Sequence, residues 1–567
     1  MNKKQTRTSS LVHLLVVVGV VIVVNLLSGY WFFRLDLTSE KRFTIAQTTK
    51  SFLEELDQEL YVKVYLSGDL NVGFQRLSNA TREMLDEFIV YSGKKVEYEF
   101  VDLSSSSTRE KKALIKKLEG MGLSAVPVFE TSEDGRKTQS YVLPYAMVQY
   151  GDKQVPVNLL ENLPGVSGSE NLNKSIEGLE YKFADSFRKL TQTEKPRIAF
   201  LEGHGELDEL DVVDITEALS QYYQVERGRI GNDPSILDPF KALIVAKPQK
   251  SFSEKDKFIL DQYVMRGGRI MWLVDAVNLT LDSLRHSIQT VGMVAELNLD
   301  DLFFRYGVRI NPVVLEDVQA GMIPVNVSVK GNNPKFVPVP WLFSPLLIPS
   351  VDHAVSRNLN VVRSEFVSSI DTVGNNLPLE RSVLLRTSRF TKVNQVPVMV
   401  SLAMVNEKPK KEAFNHSFLP VAVAQRGKFT SVFKHRSIPQ GIHQASDREM
   451  LEESVETRML VVADGDIIRN GVRFKDTNPR ILPLGYDEVT KQTFGNKQFI
   501  LNAVNYLCDD EGWMNLRTRS FTLHLLDKEK LSNQVFFWKM INVILPILII
   551  VLGGIVFMWI RRYRFTR

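Results

Sequence analysis

Two long apolar runs frame this 567-residue chain, and they constrain everything between them. The first, "LVHLLVVVGVVIVVNLLSGYWFF", occupies residues 11–33, and the second, "MINVILPILIIVLGGIVFMWI", occupies residues 540–560. At about 1.5 Å per residue, a helix of either length crosses a hydrocarbon layer about 30 Å thick. Trp31, Trp538, Trp559 and Tyr563 fall at interfacial depths for such helices. The first run is too long for the apolar core of a signal peptide and lacks a small-x-small cleavage site, so it reads as an uncleaved anchor.

Charge sets the expected topology. Lys3, Lys4 and Arg7 precede the first run, and Arg561, Arg562, Arg564 and Arg567 follow the second. Basic flanks stay in the cytoplasm, which puts both termini inside, the basic tails at 1–10 and 561–567, and the body on the far side of the membrane. Two spans cannot line a conventional transport pathway, so the chain reads as an accessory membrane protein with a large extracytoplasmic body. The net charge is +4 and the termini hold seven basic residues, so the stretch between them sums to −3. That balance argues against nucleic acid as a partner. One cysteine, Cys508, excludes an internal disulfide, a Cys-rich zinc site and a CxxC redox pair.

Periodicity divides the body. Residues 34–165 read as β-α-β-α-β-β, the order of a thioredoxin-like α/β domain, with Thr44 as helix cap, helices over 46–56, 77–91 and 109–121, and a hairpin turning at Gly151 and Asp152. No cysteine stands where redox members carry CxxC, so this domain is read as a scaffold. A patterned helix over 166–193 links it to the next domain. Residues 194–307 alternate strand and helix, as a parallel sheet with helices on both faces requires. Gly267 and Gly268 serve the tight helix-to-strand turn there. Residues 308–440 turn proline- and valine-rich, as a β-rich insertion or subdomain. The sheet pattern resumes over 441–533 with "MLVVADGDIIRN" and then returns to the membrane.

The first strand of the α/β domain runs into "EGHGE", residues 202–206. In open α/β sheets ligands bind at the carboxyl ends of the strands. Glu202, His204 and Glu206 stand at one such end, Asp275 at a second, and Asp464 and Asp466 at a third. These residue types suit a divalent cation, an acid–base pair or a partner contact. The competing reading is a turn in which Gly203 and Gly205 supply backbone freedom and the acidic residues favour the next helix. That structural reading is preferred, with no catalytic residue, metal or cofactor expected. A phosphate-binding G-x-x-x-x-G-K-[ST] is absent; "AQRGKFT" at 424–430 has just its Gly-Lys pair.

The segments "RLDLTSEKRFTIAQTTKSFL", "EGHGE", "VMRGGRIMWLVD" and "GNKQFILNAVNYL" together resemble the gliding-motility-associated ABC transporter auxiliary proteins, the GldG family, over nearly the whole chain. The resemblance implies a central domain similar to a class I glutamine amidotransferase-like fold. It implies a place in a bacterial inner membrane with the main body periplasmic, partnership with a separate ATPase subunit and a multi-span permease, and a link to motility and secretion machinery. Amidotransferase chemistry needs a cysteine on a strand-to-helix elbow. Cys508 ends a helix instead, and no G-x-S-x-G replaces it, so that fold is expected to be catalytically empty. The alternatives are a true solute-binding component using the crevice above the central sheet, and a degenerate hydrolase with residual activity.

Overall fold

The computed structural model describes residues 44–519, apart from 103–112, 114, 117, 119, 121–122, 124, 132–136, 164, 193, 288, 327–334, 375–376, 443–448 and 476–477, together with Val12, Leu14–Val23 and residues 534–565. These fall into two units, a body ending at Arg519 and a unit that contains the helix Val535–Phe565.

The C-terminal helix includes the expected 540–560 span and exceeds it at both ends. Its Val535–Tyr563 portion is 29 residues long with none of its apolar window buried, long and apolar enough to cross a membrane. Arg561 and Arg562 are exposed near its end, and Arg564 lies in its last turn. Of the expected first span, Val12 and Leu14–Val23 are helical and exposed. The rest of 11–33, Lys3, Lys4, Arg7, Arg567 and most of the 109–121 helix lie outside the described residues.

Alternating apolar residues build the first sheet of the body. Its order is Val96–Phe100, Leu60–Val64, Tyr145–Tyr150, Lys153–Asn158, with the first pair parallel and the others antiparallel. The hairpin turns at Gly151 and Asp152, with Gly151 at φ +57°. Helix Val72–Tyr91 starts ahead of the expected residue 77, because the Asn71 side chain caps it by accepting from Phe74 N at 3.0 Å. Leu77, Leu85 and Phe88 of that helix are buried.

The 166–193 segment is two helices, Gly168–Glu177 and Leu179–Thr191, meeting at Gly178. The second is a shared core element more than a tether. Its Phe183 and Phe187 stand 6.1 and 5.5 Å from Phe88 of the first domain, and its Asp185 accepts from Tyr222 OH of the second at 2.8 Å. Glu180, 4% exposed, gathers both ends of the body. It accepts from Ala46 N at 2.6 Å and Thr49 Oγ1 at 2.9 Å and pairs with Arg519. Arg519 also donates to the Thr44 carbonyl at 2.6 Å. Thr44 is therefore not the predicted cap; the helix Gln47–Glu54 begins after Ala46 without one.

Among the described residues the central sheet has ten strands, one of them, Val362–Arg363, pairing with Phe336–Pro349 off the main order. Five are parallel, in the order Gln224–Arg229, Arg197–Glu202, Ala242–Ala246, Arg269–Leu273, Thr457–Val462. Alternate residues of each inner strand enter opposite cores. Ile198, Phe200, Ile244, Leu273 and Val462 face helices Val213–Ser220 and Asn496–Cys508, while Leu201, Val245, Trp272 and Val461 face helix Glu254–Met265. Burial on both faces is why these strands read as unbroken apolar runs. The β-rich stretch does not stand apart. Strands Pro420–Gly427, Leu379–Arg386, Phe336–Pro349 and Ala320–Asn326 add to the same sheet, antiparallel in succession.

Candidate functional site

The parallel order brings four strand ends to one edge of the sheet, where Glu202, Lys247, Asp275 and Asp464 follow one another across neighbouring strands. The residues there form two sets. Among the described residues, no hydrogen bond or ion pair joins a side chain of one set to a side chain of the other.

The 202–206 loop is closed by its own side chains. Gly203 at φ +124° and Gly205 at φ +77° bend the chain where other residues are strained. His204 is 6% exposed and stacks on Phe252 at 3.7 Å and 11°. Glu206 accepts from His204 N at 2.7 Å and lies 3.1 Å from Nδ1, while Asp256 lies 3.4 Å from Nε2. The His204 carbonyl accepts from Gln249 N and Lys250 N at 2.8 and 2.7 Å. Glu202 is held by Arg227 Nε at 2.7 Å. Both histidine nitrogens and both Glu206 oxygens are therefore occupied within the protein.

The second set joins the predicted Asp275, Asp464 and Asp466. Lys247 Nζ lies 3.2 Å from Asp275 and pairs with Asp466. Asp275 accepts from Gly465 N at 2.5 Å. Asp464 accepts from Asp466 N at 2.8 Å and from Glu365 N at 3.1 Å. A Cβ on Gly465 would stand 2.7 Å from the Lys247 side chain, so the turn needs glycine for close approach.

Burial dominates the electrostatics. It raises Asp275, although Lys247 pulls the other way. It raises Asp464 well above the carboxylate range, with the charges of Asp275 and Asp466 adding to the effect. It pushes Glu365 up to about 7, again with Asp466 adding. For Lys247 burial favours the neutral amine, but Asp275 and Asp466 outweigh it and hold the ammonium. That ammonium occupies the space between two carboxylates where a metal cation would bind. Among the described residues no group of three or more His, Cys, Asp or Glu is arranged to hold a metal ion.

Lys247, Glu365, Arg363 and Arg469 were missed by the sequence reading. Lys247 had a signal: it directly follows the apolar run "ALIVA", at the carboxyl end of its strand. Glu365 had none, since it arrives from the β-rich stretch; Arg363 lies 3.5 Å from it. Arg469 flanks the set, 2.8 Å from Asp211 and 4.0 Å from Asp466. Gly267, at φ +94°, and Gly268 make the turn into strand Arg269–Leu273, where a Cβ on Gly268 would strike the Tyr263 ring at 2.4 Å. Cys508 is buried at the end of its helix, which pushes its thiol up to about 11.

A cavity of about 490 Å³ opens beside Asp275. Val274, Leu297, Phe303 and Phe304 wall it, with Asp300 and Arg309 also on its lining.

Residues 195–503, more than half of the chain, match a family model described as an ABC-type uncharacterized transport system. Residues 39–149 match one described as a domain of unknown function. An uncharacterized protein of Borreliella burgdorferi is 22% identical over 372 residues, covering 65% of this chain and 65% of that protein, just under two thirds of its length. Among solved structures, one titled "mmIFT52 N-terminal domain" is similar over 58% of this chain and 100% of that chain, at 12% identity and a TM-score of 0.30.

Proposed function

The chain belongs to the family of ABC-type transport-system auxiliary proteins, and on that premise we propose that it is a non-catalytic accessory subunit of an ABC-type transport complex. Membership implies permease and ATPase partners in general. In our reading the complex serves gliding motility and the associated secretion, as in the GldG family. Both termini are cytoplasmic, two spans pack beside the permease, and the body contacts a partner or substrate in the periplasm. The first domain is read as a thioredoxin-like scaffold, and the central domain as an amidotransferase-like sheet without its nucleophile.

One observation carries the non-catalytic reading. At the strand ends, where an α/β enzyme keeps its reacting groups, the charged side chains are spent on one another: Lys247 on Asp275 and Asp466, His204 on Glu206 and Asp256. The test is purification of the tagged full-length protein from native membranes in mild detergent. An ABC ATPase and a multi-span permease should co-purify, and ATP hydrolysis should follow the ATPase subunit. Purification without either subunit, or glutamine or ATP hydrolysis by this chain alone, would overturn the proposal.

The cavity beside Asp275 favours a second reading, a solute-binding component. It predicts a ligand that raises the unfolding temperature of the full-length protein, and whose effect disappears when Leu297→Trp fills the cavity.

A further inference from the structure

Three loops near the carboxyl edge of the central sheet each present a bulky apolar side chain to solvent. Val318 is 52% exposed, Phe390 53% and Phe418 46%. They belong to separate connections: Val318 precedes strand Ala320–Asn326, Phe390 precedes Thr391–Gln395, and Phe418 precedes Pro420–Gly427. The fold ties them together. Val318 N donates to the Phe390 carbonyl at 3.2 Å, and Phe418 N to the Ser388 carbonyl at 2.8 Å. The buried Asp317 carboxylate accepts from Gln319 N at 2.7 Å, Ser388 N at 2.8 Å and Thr391 Oγ1 at 2.9 Å. Phe418 itself sits at φ +54°, a backbone conformation uncommon for a bulky residue.

A cation accompanies each ring. The Arg386 guanidinium lies 5.4 Å from the Phe418 ring centre, and that of Arg389 lies 5.8 Å from Phe390. Residues 386–418 contain six basic and two acidic side chains, a net +4, within a body that sums to −3 between the basic termini. Exposed aromatic tips with guanidinium groups beside them suit a boundary that is apolar on one side and anionic on the other. A bilayer surface with anionic headgroups is such a boundary, and the chain carries a helix long and apolar enough to bring it to one.

We propose that this edge docks on anionic lipid headgroups, with Val318, Phe390 and Phe418 entering the interfacial layer and Arg386 and Arg389 meeting phosphates. This surface is independent of the accessory-subunit reading. A lipid surface accounts for two features at once: the tips come from three loops, and their charge is diffuse. An acidic protein partner is the alternative outcome.

The full-length protein, in a Cys508→Ser background, is placed in lipid nanodiscs of phosphatidylcholine alone or of an equimolar mixture with phosphatidylglycerol. Val318→Cys carries an environment-sensitive fluorophore; Val72→Cys, 76% exposed in the first domain, is the control. The Val318 label should shift to the blue and be quenched by spin-labelled lipid in anionic discs but not in neutral ones, and the Val72 label in neither. Arg386→Gln and Arg389→Gln should each lower the docked-to-free ratio about fivefold, since a basic residue near an anionic surface contributes about that factor. Equal quenching at Val318 and Val72, or equal quenching in neutral discs, would overturn the proposal. So would protection of Val318 that appears just when membrane proteins are added, which would assign the surface to a protein.

Discussion

The ammonium of Lys247 lies between Asp275, at 3.2 Å, and Asp466, which is 219 residues further along the chain. The three side chains meet because parallel strands deliver their carboxyl ends to one edge, and they are largely shielded from water. Removing the cation strands two carboxylates in a poorly hydrated place. Lys247→Met should therefore destabilise the full-length protein by about 3 kcal/mol or more. Adding Asp466→Asn should restore part of that loss, because the two changes share one interaction. Thermal unfolding of both variants is the check, and strictly additive losses would count against the pairing.

Glu365 supplies a pH dependence. Burial and the charge of Asp466 push it up to about 7 from an ordinary value of 4.5. A carboxyl raised on folding holds its proton more tightly in the native state. Its contribution is full below pH 4.5 and is lost as pH rises through about 7, with a slope of at most about 1.4 kcal/mol per pH unit. Glu365→Gln should flatten that decline in a plot of unfolding temperature against pH.

His353 works in the opposite sense. Burial and Arg458 hold it down to about 4, so its contribution is present above pH 6.5 and lost as pH falls through about 4. A His353→Gln variant should lose less stability on acidification than the parent. Equal acid sensitivity of the two proteins would contradict the assignment.

Within the 202–206 loop, Gly203→Val and Gly205→Val should each cost about 1–3 kcal/mol, because both glycines hold positive φ. A Cβ at Gly205 would also stand 3.3 Å from the Gln249 side chain. The loop geometry adds a cost that its sequence does not announce. His204 is buried and stacked, so His204→Ala should destabilise by a similar amount through lost packing and an unpaired Glu206. Glu202→Gln, at a side chain 37% exposed, should change stability little. Denaturant unfolding ranks the four variants.

Cys508 offers a simple probe of the intact body. Its thiol is 7% exposed and pushed up to about 11, so little reactive thiolate is present near neutral pH. Maleimide should label the native full-length protein slowly and the urea-unfolded protein at once. Rapid native labelling would contradict the burial.

The inner strands were legible in the sequence because burial on both faces leaves them no polar positions: "IAFL", "ALIVA" and "IMWL" each read as one run. The turns at Gly151 and at Gly267 and Gly268 were legible for the same local reason, since backbone geometry demands glycine there. Asp275, Asp464 and Asp466 could be placed together once the strands were taken as parallel. What escaped was everything set by pairing over long distance. The β-rich stretch gave no sign that its strands continue the main sheet, because alternation along a strand says which face is buried and not which strand it pairs with. Glu365 reaches Asp464 through that pairing, and Glu180 reaches Thr49 and Arg519 through the docking of two domains. Neither has a local signature.

The junction at Glu180 has a mechanical consequence. Thr44 is the first residue of the body after the undescribed stretch 24–43 and Arg519 is the last, and one guanidinium joins them. A pull that separates residues 44 and 519 is therefore met first at Arg519 and Glu180. That load passes into helix Leu179–Thr191, whose Phe183 and Phe187 pack on Phe88 of the first domain and whose Asp185 accepts from Tyr222 OH of the second.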